Sequence, residues 1–250
     1  MKKTAALIQM YSLPGEIVRN EEKALFMMKE AVRKGADIIA LPALWNTGKI
    51  GKDTACRTAD AGGCRTVRMM SGFALCHHVS VAAGSVIVSE KGKFYERAYV
   101  FNKTGECVCQ YNQMNEFFPL GETDSITPGE SISSFMLEGF RCACVIGGDL
   151  KCAGLLRMAD DRGIDLFFAA SQWTGEKSFD WSALLRARAI ENSAYAVGVN
   201  GCGASEKKER GGESSVITPR GMTEGKLSQQ EEVLLGSVDS DALLSMRTSF

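Results

Sequence analysis

The sequence lacks any apolar run approaching the ~20 residues that a membrane-spanning helix requires. The apolar stretch that follows Met1-Lys2-Lys3-Thr4 stops at Gln9, which is too short for the core of a signal peptide and predicts a first strand. These two absences predict a cytoplasmic protein that does not insert into a membrane.

An excess of basic charge is also missing. The 29 Lys and Arg residues nearly balance the 30 Asp and Glu residues, which gives a net charge of −1. A general nucleic-acid or membrane-surface binder needs a basic excess, so we expect neither partner. The length of 250 residues is enough for one large α/β domain with a well-buried core.

Cysteine is plentiful, but the nine cysteines include no C-x-x-C pair. In a cytoplasmic chain of this length we expect most of them to be buried small hydrophobic residues rather than disulfide partners. Cys76-His77-His78 is the one grouping that suggests metal ligands. Adjacent residues on one element point in different directions, however, and no second ligand cluster accompanies them. We therefore expect no metal and no cofactor.

Apolar periodicity divides the chain into alternating strands and helices without repeats or linkers. A strand at 4–10, a helix at 18–34 and a strand at 36–41 form a βαβ unit. Two polar stretches are predicted to lack regular structure: 112–134 as a long ordered loop and 204–212 as a solvated turn. The remaining pattern predicts helices at 65–78 and 181–192, a turn and a helix through about residue 160, and strands at 79–88, 98–102, 107–111, 140–146, 164–170, 195–200, 214–218 and 232–239. This mixture favours one domain with helices outside and sheets inside.

Arg188 falls on the apolar stripe of the predicted helix at 181–192. The preferred interpretation is that its stem lies on apolar surface while its charge reaches water. The alternative is a buried acidic partner.

Three segments carry motifs in a familiar order: LPALWNTG at 41–48, YNQMNE at 111–116 and IGGDLK at 146–151. Further matching segments are AYVFN at 98–102, FPLGE at 118–122, SQW at 171–173 and LRARAIEN at 185–192. Together they resemble the nitrilase, or carbon–nitrogen hydrolase, superfamily over almost the whole chain. The resemblance implies a four-layer αββα sandwich, a single domain over residues 1–250, and a homodimer. Relatives usually continue beyond the position of Phe250, so we expect the usual C-terminal tail to be missing and the dimer contacts to differ.

The resemblance places the family's catalytic glutamate, lysine and cysteine at positions where this chain has Ala43, Gln113 and Gly147. In the family the thiolate attacks an amide carbon, the glutamate moves the proton, and the lysine stabilises the oxyanion. None of the three residues present can do these jobs. The joint loss of a glutamate and a lysine also leaves no unpaired buried charge. The resemblance therefore predicts an amidase fold without covalent amidase chemistry.

The first functional hypothesis is a catalytically inactive family member, a pseudoenzyme, that binds a small neutral amide-like ligand or regulates a partner. The pocket residues that the resemblance implies are Glu122, Gly148 and Trp173. Glu122 matches a second glutamate near the family's site, and a loop-ordering role is an equally good interpretation. Asp149 is expected to hold the turn after Gly147.

Two other hypotheses remain open. One is an active amide hydrolase with a relocated nucleophile, for which Cys152 is the candidate, with Glu116 or Glu122 as its base. Cys144 lies an odd offset before Gly147 on a strand and should face away from the pocket. The other is a structural assembly module whose former pocket is filled by side chains.

Overall fold

Two mixed β-sheets lie face to face in the computed structural model, which describes residues 1–114, 126–205, 208–226 and 229–248. The helices are α1 Ile17–Arg33, α2 Lys52–Thr58, α3 Cys64–His77, α4 Leu155–Met158, α5 Ser178–Glu191 and α6 Ser240–Arg247. The strands are β1 Lys2–Gln9, β2 Ile38–Ala40, β3 Asp60–Ala61, β4 Ser80–Glu90, β5 Lys93–Phe101, β6 Cys107–Asn112, β7 Phe135–Leu137, β8 Phe140–Ile146, β9 Leu166–Ser171, β10 Tyr195–Asn200, β11 Cys202–Ser205, β12 Lys208–Gly211, β13 Ser215–Ile217, β14 Thr223–Lys226 and β15 Glu232–Asp239. Two short 3-10 helices span Gly147–Lys151 and Gly175–Lys177.

Each large sheet has a parallel centre with antiparallel edges. The first sheet has the order β15-β1-β2-β4-β5-β6, and β3 pairs with β4. Its strands β1, β2 and β4 run parallel, while β15, β5 and β6 are antiparallel to their neighbours. The second sheet has the order β14-β13-β10-β9-β8-β7, with β8, β9 and β10 parallel. The carboxyl ends of the parallel strands in each sheet therefore meet at one edge.

Alternation along β1 shows how the layers are built. Ala5 and Leu7 face the core between the two sheets, whereas Ala6 and Ile8 belong to a second core that includes Met28 of α1. Since successive residues of a strand point to opposite faces, a strand buried on both faces must be apolar throughout, as the centre of β1 is. The first sheet is thus covered by helices on its outer face and by the second sheet on its inner face.

The outer face of the second sheet is covered by α5. Gly198 of β10 allows the close approach, because a Cβ at that position would lie 2.4 Å from the Leu185 side chain and 3.0 Å from that of Trp181. Trp181 and Leu185 are fully buried. The order of layers is therefore helices, sheet, sheet, helices, which confirms the predicted αββα sandwich.

Most predicted elements are present, and the differences have physical reasons. The segment 204–212 was predicted as a solvated turn, but β11 and β12 pair there as an antiparallel ribbon. Helix α6 was missed, although Asp239 accepts a capping hydrogen bond from the Asp241 amide, and Leu243 and Met246 are buried one turn apart. A short polar ribbon is stabilised by backbone pairing, so apolar periodicity does not reveal it.

The Cys76-His77-His78 segment ends α3 at the surface. His77 packs its ring against Phe73 with 4.3 Å between ring centroids, and His78 adopts the left-handed conformation that caps the helix. Across the described ranges, no three His, Cys, Asp or Glu side chains come together as metal ligands. No helix of that part of the chain is long and apolar enough to cross a membrane.

Candidate functional site

A cavity of about 110 Å³ lies where the carboxyl ends of β2, β6, β8 and β9 meet. Such edges of parallel strands are common ligand sites in α/β proteins, because side chains and backbone from several strands converge there. The described residues that line it are Ala43, Leu44, Lys49, Glu96, Gln113, Gly147, Gly148, Gln172 and Trp173. The cavity contains all three positions that the sequence motifs match to the family's catalytic residues.

Gln113 and Gly147 are direct neighbours in this cavity. The Gln113 side chain is 5% exposed, and its Nε2 donates to the Ile146 carbonyl at 3.0 Å. A Cβ placed on Gly147 would lie 3.2 Å from the same Nε2, so a side chain at position 147 would point at residue 113. Gly147 has φ +47°, in the left-handed region that glycine adopts most easily.

Ala43 closes the cavity from the end of β2. Its carbonyl accepts a hydrogen bond from Gln172 Nε2 at 2.6 Å, and its amide donates to the Ser171 carbonyl at 3.4 Å. These two bonds tie the end of β2 to the end of β9, across the two sheets. Residue 43 is 3% exposed, and its methyl group leaves room where a larger side chain would stand.

Asp149 holds the turn that follows Gly147. Its carboxylate is 1% exposed and accepts hydrogen bonds from the Tyr111 hydroxyl at 2.7 Å, the Ile146 amide at 3.0 Å and the Met114 amide at 3.2 Å. Burial and the neighbouring Asp149 charge raise the pKa of Tyr111 above its usual range, so the hydroxyl remains a donor. The structural role predicted for Asp149 therefore has a definite set of partners.

Asp149→Asn is expected to lower the free energy of unfolding by about 2–3 kcal/mol, because an amide NH₂ would face a buried N–H that needs an acceptor. Tyr111→Phe is the matched control: it removes one hydroxyl donor and leaves both backbone donors paired, with an expected loss of about 1 kcal/mol. Urea unfolding of both variants measures the difference. Equal losses would contradict the assignment of Asp149 as the centre of the turn.

Arg188 supports the same turn from α5, which corrects the preferred sequence interpretation. The residue is 5% exposed; its guanidinium donates to the carbonyls of Leu150 and Lys151 at 2.9 and 3.3 Å, and to Glu191 at 2.8 Å. The charge does not reach water, because the end of the 3-10 turn presents unpaired carbonyls that a planar guanidinium can satisfy. An acidic partner exists, as in the alternative interpretation, but Glu191 is half-exposed rather than buried.

The remaining predicted site residues divide into three groups. Gly148 and Trp173 line the cavity, and Lys151 Nζ stands 5.5 Å from the centroid of the Trp173 ring. Glu116 and Glu122 lie outside the described residues. Cys152 is half-buried at the end of the 3-10 turn and packs against the larger hydrophobic core; it is absent from the described lining of the cavity.

Cys144 lies on β8 inside the core between the sheets. A hydrogen bond with Cys109, together with complete burial, raises the pKa of the Cys144 thiol well above its usual range. A neutral buried thiol is a poor nucleophile. Cys144 is absent from the described lining of the cavity, and its orientation away from the pocket stays a prediction.

Two charged residues of the cavity were missed by the sequence motifs. Glu96 is 4% exposed and lies on β5, which begins at Lys93 rather than at the predicted Ala98. Lys49 is exposed and follows the segment of Ala43. Strand alternation carried back from Val100 and Ala98, both in the core between the sheets, would have placed Glu96 on the same inner face.

Comparison with known proteins identifies the class of this fold and site. The sequence profile described as carbon–nitrogen hydrolase matches residues 4–248. A protein described as "Hydrolase in agr operon" from Staphylococcus lugdunensis is 32% identical over 216 residues, which cover 86% of this chain and 92% of that protein. The chain therefore belongs to the carbon–nitrogen hydrolase family.

Amidases are among the relatives. The 2-oxoglutaramate amidase of Bacillus subtilis (strain 168) is 27% identical over 252 residues, which cover 100% of this chain and 95% of that enzyme. The crystal structure of Nit3 from Saccharomyces cerevisiae, a member of branch 10 of the nitrilase superfamily, superimposes with a TM-score of 0.91 at 19% identity. That match covers 99% of this chain and 94% of the yeast chain and shows the shared fold.

Proposed function

We propose that this carbon–nitrogen hydrolase family member binds a small amide-sized molecule in the cavity without cleaving it. The observation that carries the proposal is the lining itself: among its described residues, none has a thiol or hydroxyl that could attack an amide. A covalent route needs such a nucleophile, together with a base at position 43 and a cation at position 113. Ala43, Gln113 and Gly147 supply none of these groups.

The open volume supports ligand binding over a filled assembly module. Ala43 has only a methyl group and Gly147 has no side chain, and the neighbouring residues leave a cavity of about 110 Å³ rather than collapsing into it. Since a water molecule occupies about 30 Å³ of liquid, a space of this order takes a molecule of a few non-hydrogen atoms. A neutral primary amide, the functional group of the relatives' named substrates, is the starting candidate.

The test combines turnover and binding on the same preparation. Purified protein incubated with 2-oxoglutaramate is expected to release ammonia at the rate of the buffer control, while short amides shift the amide resonances of the cavity residues in an NMR titration. Sustained ammonia release that scales with protein concentration would refute the proposal.

A relocated nucleophile makes a different prediction for the same assay. If Cys152 were the nucleophile, ammonia release by the parent protein would disappear in Cys152→Ser and persist in Cys76→Ser, which removes an exposed thiol of α3. Under the binding proposal both variants match the parent, because neither has turnover to lose.

A homodimer and a regulatory role remain part of the proposal. Light scattering during size-exclusion chromatography, with and without a short amide, distinguishes a dimer that forms without ligand from a dimer that forms only when ligand is bound. A mass of about 54 kDa, twice the 27.1 kDa chain, is the expected result.

A further inference from the structure

Two glutamine side chains of the cavity wall link the ends of the two sheets. Gln113 follows β6 of the first sheet, and its Nε2 donates at 3.0 Å to the carbonyl of Ile146, at the end of β8 in the second sheet. Gln172 follows β9 of the second sheet, and its Nε2 donates at 2.6 Å to the carbonyl of Ala43, which lies beyond the end of β2. Each amide group is therefore held by a carbonyl that belongs to the opposite half of the sandwich.

These two bonds define which end of each amide group is the oxygen. A backbone carbonyl only accepts hydrogen bonds, so the side-chain atom that faces it must be the NH₂ nitrogen. The Oε1 atoms of Gln113 and Gln172 lie on the other side of each amide group. Both are buried, and neither has a hydrogen-bond partner in the part of the chain that the structure describes. The lining of one cavity thus contains two glutamines whose acceptor ends are open.

Gly201 leaves the space in which the Gln172 amide group lies. A Cβ at position 201 would lie 2.2 Å from Gln172 Oε1 and 2.8 Å from its Nε2. The backbone of Gly201 is itself tied down, because its amide donates to the Ser171 carbonyl at 3.1 Å. Gln172 is therefore confined by Gly201 and by its bond to Ala43, and its amide group is a fixed part of the wall.

The fold bears the cost of burying both oxygens before any ligand arrives. A carbonyl oxygen that leaves water without a new donor is unfavourable, so a ligand N–H that reaches it gains a hydrogen bond without further desolvation of the protein atom. The terminal torsion of a glutamine side chain is soft, and a small rotation directs Oε1 at a ligand in the adjoining cavity. Both oxygens should therefore favour a ligand that donates.

We propose that Gln113 and Gln172 make the cavity select a neutral, planar ligand with two NH₂ groups, one of them hydrogen-bonded to each Oε1. The inference rests on the proposed binding function and deepens it: the number of N–H donors on the ligand decides its affinity. Ureas have this chemistry, because NH₂ groups flank their carbonyl on both sides. Urea itself has only a few non-hydrogen atoms, which suits a cavity of about 110 Å³.

The test uses urea, acetamide and acetone, which are neutral and nearly identical in shape but carry two, one and no NH₂ groups. NMR titration of the parent protein is expected to show urea binding about three- to tenfold more tightly than acetamide, and acetamide more tightly than acetone by a similar factor. Each step is the net effect of about one hydrogen bond. Concentrations below about 0.1 M stay far under those at which urea unfolds proteins.

Variants remove the two acceptors one at a time. In Gln113→Met or Gln172→Met, which keep the length of the side chain, urea and acetamide are expected to bind within about twofold of each other and more tightly than acetone. In the double variant all three molecules are expected to bind within about twofold of one another. Gln110→Met is the matched control: this exposed glutamine of β6 lines a different cavity, so the full preference for urea should persist.

A measurement on the parent protein covers the case in which a variant does not fold, as judged by its melting curve. Hydrogen bonding to a side-chain carbonyl oxygen moves the Cδ resonance of that glutamine. Urea is therefore expected to shift the Cδ resonances of both Gln113 and Gln172, whereas acetone shifts neither. Saturation with urea that leaves both resonances in place would overturn the role of the two oxygens.

The outcomes distinguish this inference from the function on which it rests. Urea binding no more tightly than acetamide overturns the selection by N–H donors and leaves the proposed binding function standing. Failure of all three molecules to bind overturns both. A preference for urea that survives in the folded double variant assigns the selection to other acceptors of the wall and overturns the inference alone.

Discussion

The combined substitution A43E/Q113K/G147C is expected to make the protein release ammonia from short amides at least about 100-fold faster than the parent, a gain of roughly 2.7 kcal/mol in transition-state stabilisation. The physical reason is that the three positions already meet in one open cavity, with a Cβ at 147 directed at residue 113 from 3.2 Å. Complete catalytic sets of this kind contribute about 10⁶-fold, and imperfect placement by about 1 Å removes about 10²-fold. Activity well below that of natural amidases is therefore expected.

The matched control is A43E/Q113K/G147A, which differs from the first variant by one sulfur atom. It has the same new charges and the same strain at φ +47°, where a non-glycine residue costs about 1–2 kcal/mol. Ammonia release should return to the parent level, and a thiol-directed electrophile should label position 147 only in the variant that contains cysteine there. Equal rates in the two folded variants would show that these positions do not form the catalytic set.

Gly84→Ala is expected to lower the free energy of unfolding by at least about 4 kcal/mol, or to prevent folding. Gly84 lies in β4 at a shift in its register with β5 and has φ +58°. A Cβ there would lie 2.0 Å from the Pro42 carbonyl oxygen and 2.8 Å from that of Leu41, so the backbone leading to Ala43 would have to move. The substitution should therefore disturb both the pairing of the first sheet and the cavity.

The loss of stability expected for Gly84→Ala has two causes, backbone strain at positive φ and contact of the new Cβ with backbone carbonyls, and Gly92→Ala separates them. Gly92 has φ +75°, so alanine is strained there as well, but a Cβ at this position would meet no atom within 4 Å beyond its chain neighbours. We expect a loss of about 1 kcal/mol, which is the conformational cost alone. Urea unfolding of both proteins measures the difference, and similar losses would rule out close backbone contact at Gly84 as the main cause.

Local pattern was sufficient for much of the fold. The strand at 232–239 was predicted with the bounds that β15 has, because its apolar residues and flanking polar residues are a local signal. The predicted strand at 107–111 likewise corresponds to β6 within one residue. The ribbon of β11 and β12 was predicted as a turn, because pairing between backbone groups of two polar segments leaves no apolar alternation in either of them.

The candidate site, like the fold, was predicted from the sequence only in part. Motif order placed Ala43, Gln113 and Gly147 in one cavity, since each follows a strand whose end lies at the same edge of the fold. The preferred interpretation of Arg188 had its charge reach water, yet its guanidinium is buried against the carbonyls of Leu150 and Lys151. A helical stripe shows that a residue faces inward, but it does not show which polar groups lie there to compensate its charge.

By itself, then, the sequence determined the order of strands and helices, the αββα layering and the absence of a glutamate, lysine and cysteine at three matched positions. Only the tertiary structure decided that a carboxylate returns to the same cavity from Glu96 on β5. Burial of a charged side chain depends on partners distant in the chain, here the Ser85 hydroxyl on the neighbouring strand β4, which donates to the carboxylate. Strand pairing brings this hydroxyl to Glu96, and no local pattern around Glu96 records that pairing.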